Sequence, residues 1–185
     1  MNKWKVIFCG SLLSSVLMLS VSVKAATFSG GFTTGHLTYG VGSGGSSSIA
    51  STASKQWNGV SSKVSLTYSS ATNQYGSTAN IVTYFNSDPP PTTGDLGVLY
   101  PYKSWTGTSA SPASVDDIWV KASAFQYTNS QLNDTTKRTA TATHELGHAL
   151  SIAHTSEDAV MKQGVKTSYA LKTYDITNLK AKWGN

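Results

Sequence analysis

The sequence predicts an α+β fold in which strands form most of the first part of one domain and helices most of the last part. Short segments with alternating or continuous apolar character recur between residues 37 and 125, as expected of half-buried or buried strands. After residue 134 the apolar residues recur at helical spacing instead. Strands and helices that are segregated along the chain favour α+β over repeated strand–helix–strand units.

The first 25 residues have the pattern of a secretory signal. Two lysines precede a mostly apolar run over residues 6–23, and a cut after Ala25 fits this arrangement. A retained membrane anchor is the alternative, although five serines within the run lower the hydrophobicity that such a helix needs. We therefore expect a signal peptide over residues 1–25 and a secreted, extracellular domain over residues 26–185, without stable membrane association after cleavage.

The charge and the cysteine content argue against a nucleic-acid or membrane partner and against stabilisation by disulfides. The formal charge of +5 includes three lysines of the predicted signal, which leaves +2 for residues 26–185. A charge this small does not favour nucleic acid or an anionic membrane surface. The only cysteine, Cys9, lies in the predicted signal, so no disulfide is expected in the mature protein. We expect that protein to be a monomer.

Each element of the first half follows from a local pattern. Leu37–Tyr39 predicts a short strand, and the glycine-rich tract after it predicts a loop. A serine at 46–48 can cap a helix that runs to about Trp57, since apolar residues recur there every fourth position. Two further strands are predicted at Val64–Tyr68, which alternates apolar with polar residues, and at the more apolar Ala79–Phe85.

The second half begins with a loop and ends with two helices. Three successive prolines, Pro89–Pro91, exclude a helix or a central strand. The remaining elements are strands at Val98–Tyr100 and Ile118–Phe125, a helix at Thr135–Ala149 with Asp134 as its N-cap, and a final helix at Asp175–Trp183.

The most informative stretch for function begins at His144 and ends at His148. Histidines four residues apart lie on one face of a helix, so both imidazoles can reach one metal ion. Glu145 is displaced by one residue and can take a proton from metal-bound water without being a ligand. With four histidines and two glutamates in the chain, this triple arises by chance in roughly one sequence in a thousand. The other histidine outside the motif region, His36, is interpreted as structural.

A third ligand is required, because a catalytic zinc takes three protein ligands and leaves one position open. His154 follows His148 by six residues, about 600° around an ideal helix. It would therefore point away from the other two histidines if the helix continued. His154 can join them only if the helix ends and the chain bends back.

The whole stretch from His144 to His154, HELGHALSIAH, resembles the long zinc signature of the metzincin peptidases, HExxHxxGxxH. Weaker similarities over most of residues 26–185 are closest to the matrixin branch. Ser151 stands where the family has glycine, and a serine can adopt the required positive φ at a cost of about 1 kcal/mol. The resemblance implies a zincin/metzincin-like fold: a twisted, mostly parallel sheet with an active-site helix, a further packing helix and a C-terminal helix.

The resemblance also implies roles for residues outside the helix. It makes His154 the third zinc ligand and Met161 the methionine of the Met-turn beneath the metal. Other zincin groups use a carboxylate as third ligand, so the rival candidates are Glu157, Asp158 and Asp175.

Two adjacent acidic residues are candidates for a second metal. Asp116 and Asp117 lie where matrixins bind a structural calcium ion, although a solvated strand start explains them equally well. The histidines of the second zinc site of animal matrixins are absent from residues 86–102, so no such site is expected.

Together these features predict a secreted zinc-dependent endopeptidase of metzincin type that acts on protein or peptide substrates. The resemblance also implies that an extended substrate pairs with an edge strand at Gly97–Pro101 and that residues 162–169 form one wall of the adjoining pocket. Glu145 would activate the zinc-bound water that attacks the peptide bond. The alternatives are a secreted zinc-binding module without turnover and a hydrolase of a non-protein amide, such as a cell-wall crosslink.

Overall fold

The computed structural model describes residues 26–70, 78–85, 88–106 and 109–185. The predicted signal peptide lies outside the described residues, so its cleavage stays a prediction. Within the described residues no helix is both long and apolar enough to cross a membrane.

The described strands form one mixed sheet. Its four parallel strands lie side by side. A fifth strand pairs antiparallel with the last of these four, and the sixth strand pairs antiparallel with the fifth. The strands are β1 (Gly35–Val41), β2 (Val64–Tyr68), β3 (Ile81–Phe85), β4 (Gly97–Trp105), β5 (Ala110–Pro112) and β6 (Lys121–Gln126), in the order β2-β1-β3-β6-β4-β5.

Three helices complete the described fold, and side chains cap two of them as predicted. They are α1 (Ser47–Trp57), α2 (Thr135–Ala149) and α3 (Thr173–Trp183). Ser46 accepts a hydrogen bond from the Ile49 amide, and Asp134 accepts one of 2.8 Å from the Lys137 amide. These elements confirm the predicted fold, a mostly parallel sheet with three helices, of which α2 carries His144 and His148.

Several element boundaries differ from the sequence prediction. β1 extends two residues beyond Leu37–Tyr39 at each end, and β3 starts at Ile81 instead of Ala79. The last strand starts at Lys121 instead of Ile118, because the Trp119 amide donates to the carbonyl of Gly31 outside the sheet. Ile118 is accordingly 65% exposed. The proline-containing strand extends to Trp105, since β5 pairs with its second half. The closing helix starts two residues before Asp175, at Thr173. Asp175 is the third residue of this helix, and its carboxylate caps the helix by accepting a hydrogen bond from the Lys172 amide.

The core joins α1 to α2 above the sheet. Trp57 is fully buried, and its indole N–H donates to the carbonyl of Thr143 over 3.0 Å. Gly147 allows this close approach, since a Cβ there would lie 2.7 Å from Trp57 and would overlap the sulfur of Met161. The packing therefore fixes the last two turns of α2, which carry the histidine pair.

Candidate metal centre

His144 and His148 lie one turn apart on α2, and backbone carbonyls hold both rings. The Nδ1 atom of His144 lies 2.8 Å from the carbonyl oxygen of Val160, and that of His148 lies 2.8 Å from the carbonyl oxygen of Ile152. A carbonyl oxygen only accepts hydrogen bonds, so each Nδ1 carries the proton. The lone pair of each Nε2 is left free for a metal ion.

The chain bends immediately after α2, as the position of His154 requires. Ser151 has φ of 65° and is the only non-glycine residue with positive φ in the described part of the chain. Its amide donates to the carbonyl of His148, and the Ile152 amide donates to that of Gly147. This pair of bonds is the Schellman arrangement, in which the residue after the helix is left-handed. Ser151, which aligns with the glycine of the metzincin signature, thus has the positive φ that was predicted for this position.

The serine fits because of a glycine far away in sequence. Ser151 is fully buried, and its hydroxyl donates to the carbonyl of Gly30 over 3.2 Å. A Cβ at Gly31 would overlap that hydroxyl oxygen. The absent side chain at position 31 leaves the room that the Ser151 side chain occupies.

The bend brings the third imidazole to the other two. The Nε2 atom of His154 lies 3.0 Å from the Nε2 atoms of both His144 and His148. Three nitrogens that bind one tetrahedral zinc at about 2.0–2.1 Å are separated by about 3.3 Å. In the described residues, this is the only group of three or more histidine, cysteine or acidic side chains with ligand atoms close enough for one ion. The three histidines therefore fit a zinc ion.

Burial keeps the histidines neutral, which is the form that binds metal. Loss of hydration lowers the pKa of His144 to about 4 and that of His148 well below its ordinary value. His154 is more exposed, and partial burial lowers its pKa as well. The site is therefore ready to take a cation at neutral pH without first losing protons.

Glu145 lies beside the histidines as an isolated buried carboxyl group. The residue is 4% exposed, and its Oε2 has no hydrogen-bond partner among the described residues. Burial raises the pKa of Glu145 well above its ordinary value, because the carboxylate loses its hydration. A carboxyl group with a raised pKa can both accept and return a proton near neutral pH.

A cleft of about 420 Å³ connects these groups to solvent. It is lined by parts of the sheet edge, of the 115–119 loop and of the segment after Met161. The lining includes the three histidines, Glu145, Phe28, Gly97, Val98, Leu99, Pro101, Val115, Trp119, Gly164 and Lys166.

The predicted edge strand borders this cleft. Gly97–Pro101 is the first half of β4 and pairs with β6 on one side. On its other side β5 pairs only with the second half, from Tyr102 onward. No described strand pairs with the free edge of residues 97–100. This edge can accept an extended peptide.

The acidic rivals for the third ligand lie elsewhere. Glu157 and Asp158 are exposed on the surface. Asp175 is fully buried, but its carboxylate accepts hydrogen bonds from the amides of Val160, Met161 and Lys172 at 2.8–3.1 Å. None of the three belongs to the histidine group. Asp175 thus connects the start of α3 to Val160 and Met161, a structural role that the sequence analysis did not predict. The only sequence pattern that could have indicated this role is an acidic residue in the first turn of α3.

Met161 is fully buried against α2, and its role as a Met-turn residue stays a prediction. Its sulfur is packed against Gly147, between the two helical histidines. The preceding residue, Val160, provides the carbonyl that holds His144. The Met161 turn therefore supports the first imidazole through the backbone.

Other predicted residues lie outside this group. Asp116 accepts a hydrogen bond from the hydroxyl of Ser29, and Asp117 accepts one of 2.8 Å from the Ser114 amide. That amide lowers the pKa of Asp117. Within the described residues no third carboxylate or histidine joins them, so calcium binding stays a prediction. His36 is an exposed residue hydrogen-bonded to Ser65, away from the cluster.

Gly97 faces Glu145 across the cleft, and its missing side chain leaves room for the carboxyl group. A Cβ there would lie 2.7 Å from Oε1 of Glu145 and 2.6 Å from the carbonyl oxygen of Phe125. We expect Gly97→Ala to displace the carboxyl group and to lower kcat/KM for a peptide at least tenfold. Zinc affinity should change less than threefold, since the atoms nearest to a Cβ at position 97 belong to Phe125 and Glu145. Steady-state kinetics and chelator competition test this; full activity in the variant would contradict it.

Comparisons with known proteins give a match to a solved structure and none to a family model or a curated protein. The mostly parallel sheet, the histidine-bearing helix and the closing helix define a zincin/metzincin-like fold. A solved structure described as "Structure of myroilysin" is similar, with a TM-score of 0.50 at 13% identity. The match covers 86% of this chain and 98% of that one. At this identity the similarity shows the fold alone, and membership of the matrixin branch stays a prediction.

Proposed function

We propose that the protein is a secreted zinc-dependent endopeptidase of metzincin type, with residues 26–185 as its catalytic domain. The observation that carries the proposal is the convergence of three Nε2 atoms beside the buried Glu145 carboxyl group, whose Oε2 has no hydrogen-bond partner among the described residues. A structural zinc site usually has four protein ligands, whereas a catalytic site has three. A buried carboxyl oxygen without a hydrogen bond is costly, and native proteins retain such atoms at catalytic sites.

His144, His148 and His154 would hold the zinc ion. Bound zinc supplies a Lewis acid that polarises the attacked carbonyl and lowers the pKa of a water molecule to about 7. The carbonyls of Val160 and Ile152 fix the two helical imidazoles as Nδ1–H tautomers. This support strengthens each Nε2 as a ligand.

Glu145 acts as the general base and then as the general acid. Its carboxylate takes a proton from the attacking water, whose oxygen forms the new bond to the peptide carbon. The protonated carboxyl group then passes this proton to the amine nitrogen as the C–N bond breaks. Burial of Glu145 in the cleft supports both steps, because a raised pKa makes the protonated form accessible.

The free edge of residues 97–100 would orient the substrate. An extended peptide can add to β4 through main-chain hydrogen bonds, which makes binding largely independent of side chains. The surface of the cleft beside this edge is mostly apolar, with Lys166 near the exposed imidazole. We propose a protein or peptide substrate on these grounds, and a monomeric enzyme.

Removal of the metal tests the proposal directly. We expect the purified protein to contain stoichiometric zinc and to cleave casein or a fluorogenic peptide. A chelator such as 1,10-phenanthroline should abolish cleavage, and added zinc should restore it, because the proposed mechanism needs the metal to polarise the carbonyl and to activate the water. The two measurements are metal analysis and fluorescence increase.

The same assay separates the alternatives. Zinc binding without cleavage of any peptide would favour the module without turnover. Cleavage of a cell-wall crosslink but not of casein would favour the non-protein amide. Hydrolysis that survives complete metal removal would exclude the proposed chemistry.

A further inference from the structure

Residues 26–31 form a segment that runs along the bend after α2. Thr27 forms an antiparallel bridge with Ile152. The Phe28 amide donates to the carbonyl of Ser151, and the Ala153 amide donates to that of Ala26, both over 2.8 Å. The 26–31 segment is therefore hydrogen-bonded to the backbone between His148 and His154. These bonds lie on both sides of Ile152, whose carbonyl oxygen accepts a hydrogen bond from Nδ1 of His148.

Other parts of the fold hold the 26–31 segment in place. The ammonium group of Lys182 on α3 donates to the carbonyls of Phe28 and Gly30 at 2.8 and 3.0 Å. The Gly31 amide donates to the carbonyl of Asp117, and its carbonyl accepts from the Trp119 amide. The segment thus links the bend to α3 and to the loop that lines the cleft.

Phe28 is the member of this segment that reaches the histidines. Its ring is stacked on the imidazole of His148, with centroids 5.7 Å apart and planes 22° apart. The same ring touches Trp119 at 6.0 Å and lines the cleft. One aromatic side chain therefore covers a face of a metal-binding imidazole and forms part of the wall beside it.

We propose that Phe28 is a positioning residue for the metal site and a wall of the substrate cleft. Its ring restricts rotation of the His148 imidazole, while its amide fixes the Ser151 carbonyl in the bend that delivers His154. Groups that orient a ligand from outside the coordination sphere typically change metal affinity by about 10- to 100-fold. This inference rests on the proposed zinc site.

Phe32 provides a matched control. Its ring also packs against Trp119, at 5.9 Å, and the residue is 6% exposed. It belongs to the hydrophobic core and is not among the residues that line the cleft. Replacement of Phe32 therefore tests the loss of an aromatic ring from the same cluster without loss of the stack on His148.

The experiment compares Phe28→Leu, Phe28→Tyr and Phe32→Leu in the zinc-loaded protein. Zinc dissociation constants are measured by competition with a chromophoric chelator, and peptide kinetics give KM and kcat. We expect Phe28→Leu to weaken zinc binding about tenfold and to raise KM, because the imidazole and the cleft wall both lose their support. Phe28→Tyr keeps the ring and should restore zinc affinity to within about threefold of the original protein.

Phe32→Leu should lower the melting temperature and leave zinc affinity within about twofold. Unchanged zinc affinity in Phe28→Leu, or an equal loss in Phe32→Leu, would overturn the positioning role. Failure of the unaltered protein to bind zinc would instead overturn the proposed metal site, so the two failures are distinguishable.

Discussion

Replacement of Glu145 by glutamine is expected to lower kcat for peptide hydrolysis by about 10²- to 10⁴-fold, which is the usual contribution of general acid–base catalysis. Glutamine has nearly the same shape, but it cannot take a proton from water. KM should change little, because the carboxyl group lies beside the histidines and the proposed substrate contacts come from the edge strand. Steady-state kinetics on a fluorogenic peptide measure both constants.

Zinc content separates this effect from loss of the metal. The Glu145→Gln variant should keep stoichiometric zinc, since Glu145 is not in the histidine group. Glu157→Gln is the matched control, because Glu157 is the only other glutamate and is exposed. It should retain full activity. Turnover at the original rate in Glu145→Gln would remove the residue from the mechanism.

The helix and the bend were predictable because both depend on nearby residues. The N-cap at Asp134 and the apolar spacing predicted α2 with both ends correct. Helical geometry then required a bend before His154, and the positive φ of Ser151 is that bend. Interactions within about ten residues leave a pattern that a single sequence displays.

The contacts that hold the site from afar were not predictable in the same way. The room for Ser151 depends on Gly31, and the room for Glu145 depends on Gly97. These pairs are separated by 120 and 48 residues. Nothing local in the sequence connects them, because each is brought together only by the tertiary fold. The misplaced strand start at Ile118 has the same origin, since the Trp119 amide bonds to Gly31.

Replacement of Asp175 by asparagine is expected to lower the free energy of unfolding by about 3 kcal/mol. The carboxylate accepts three backbone N–H groups, from Val160, Met161 and Lys172, while fully buried. An asparagine side chain has one accepting oxygen, and its NH₂ group would face at least one of these donors. Urea unfolding of the zinc-free variant measures the loss.

The same change should also weaken zinc binding, by about three- to tenfold, through a backbone connection. Asp175 holds the Val160 amide, and the Val160 carbonyl holds Nδ1 of His144. Asp158→Asn is the matched control, because its side chain is 92% exposed and its carboxylate lies 4.0 Å from the ammonium group of Lys172. An exposed pair of this kind contributes little to stability. Equal unfolding free energies for the two variants would show that the buried carboxylate does not anchor the Met161 turn. A large loss of stability with unchanged zinc affinity would show that the turn can loosen without moving His144.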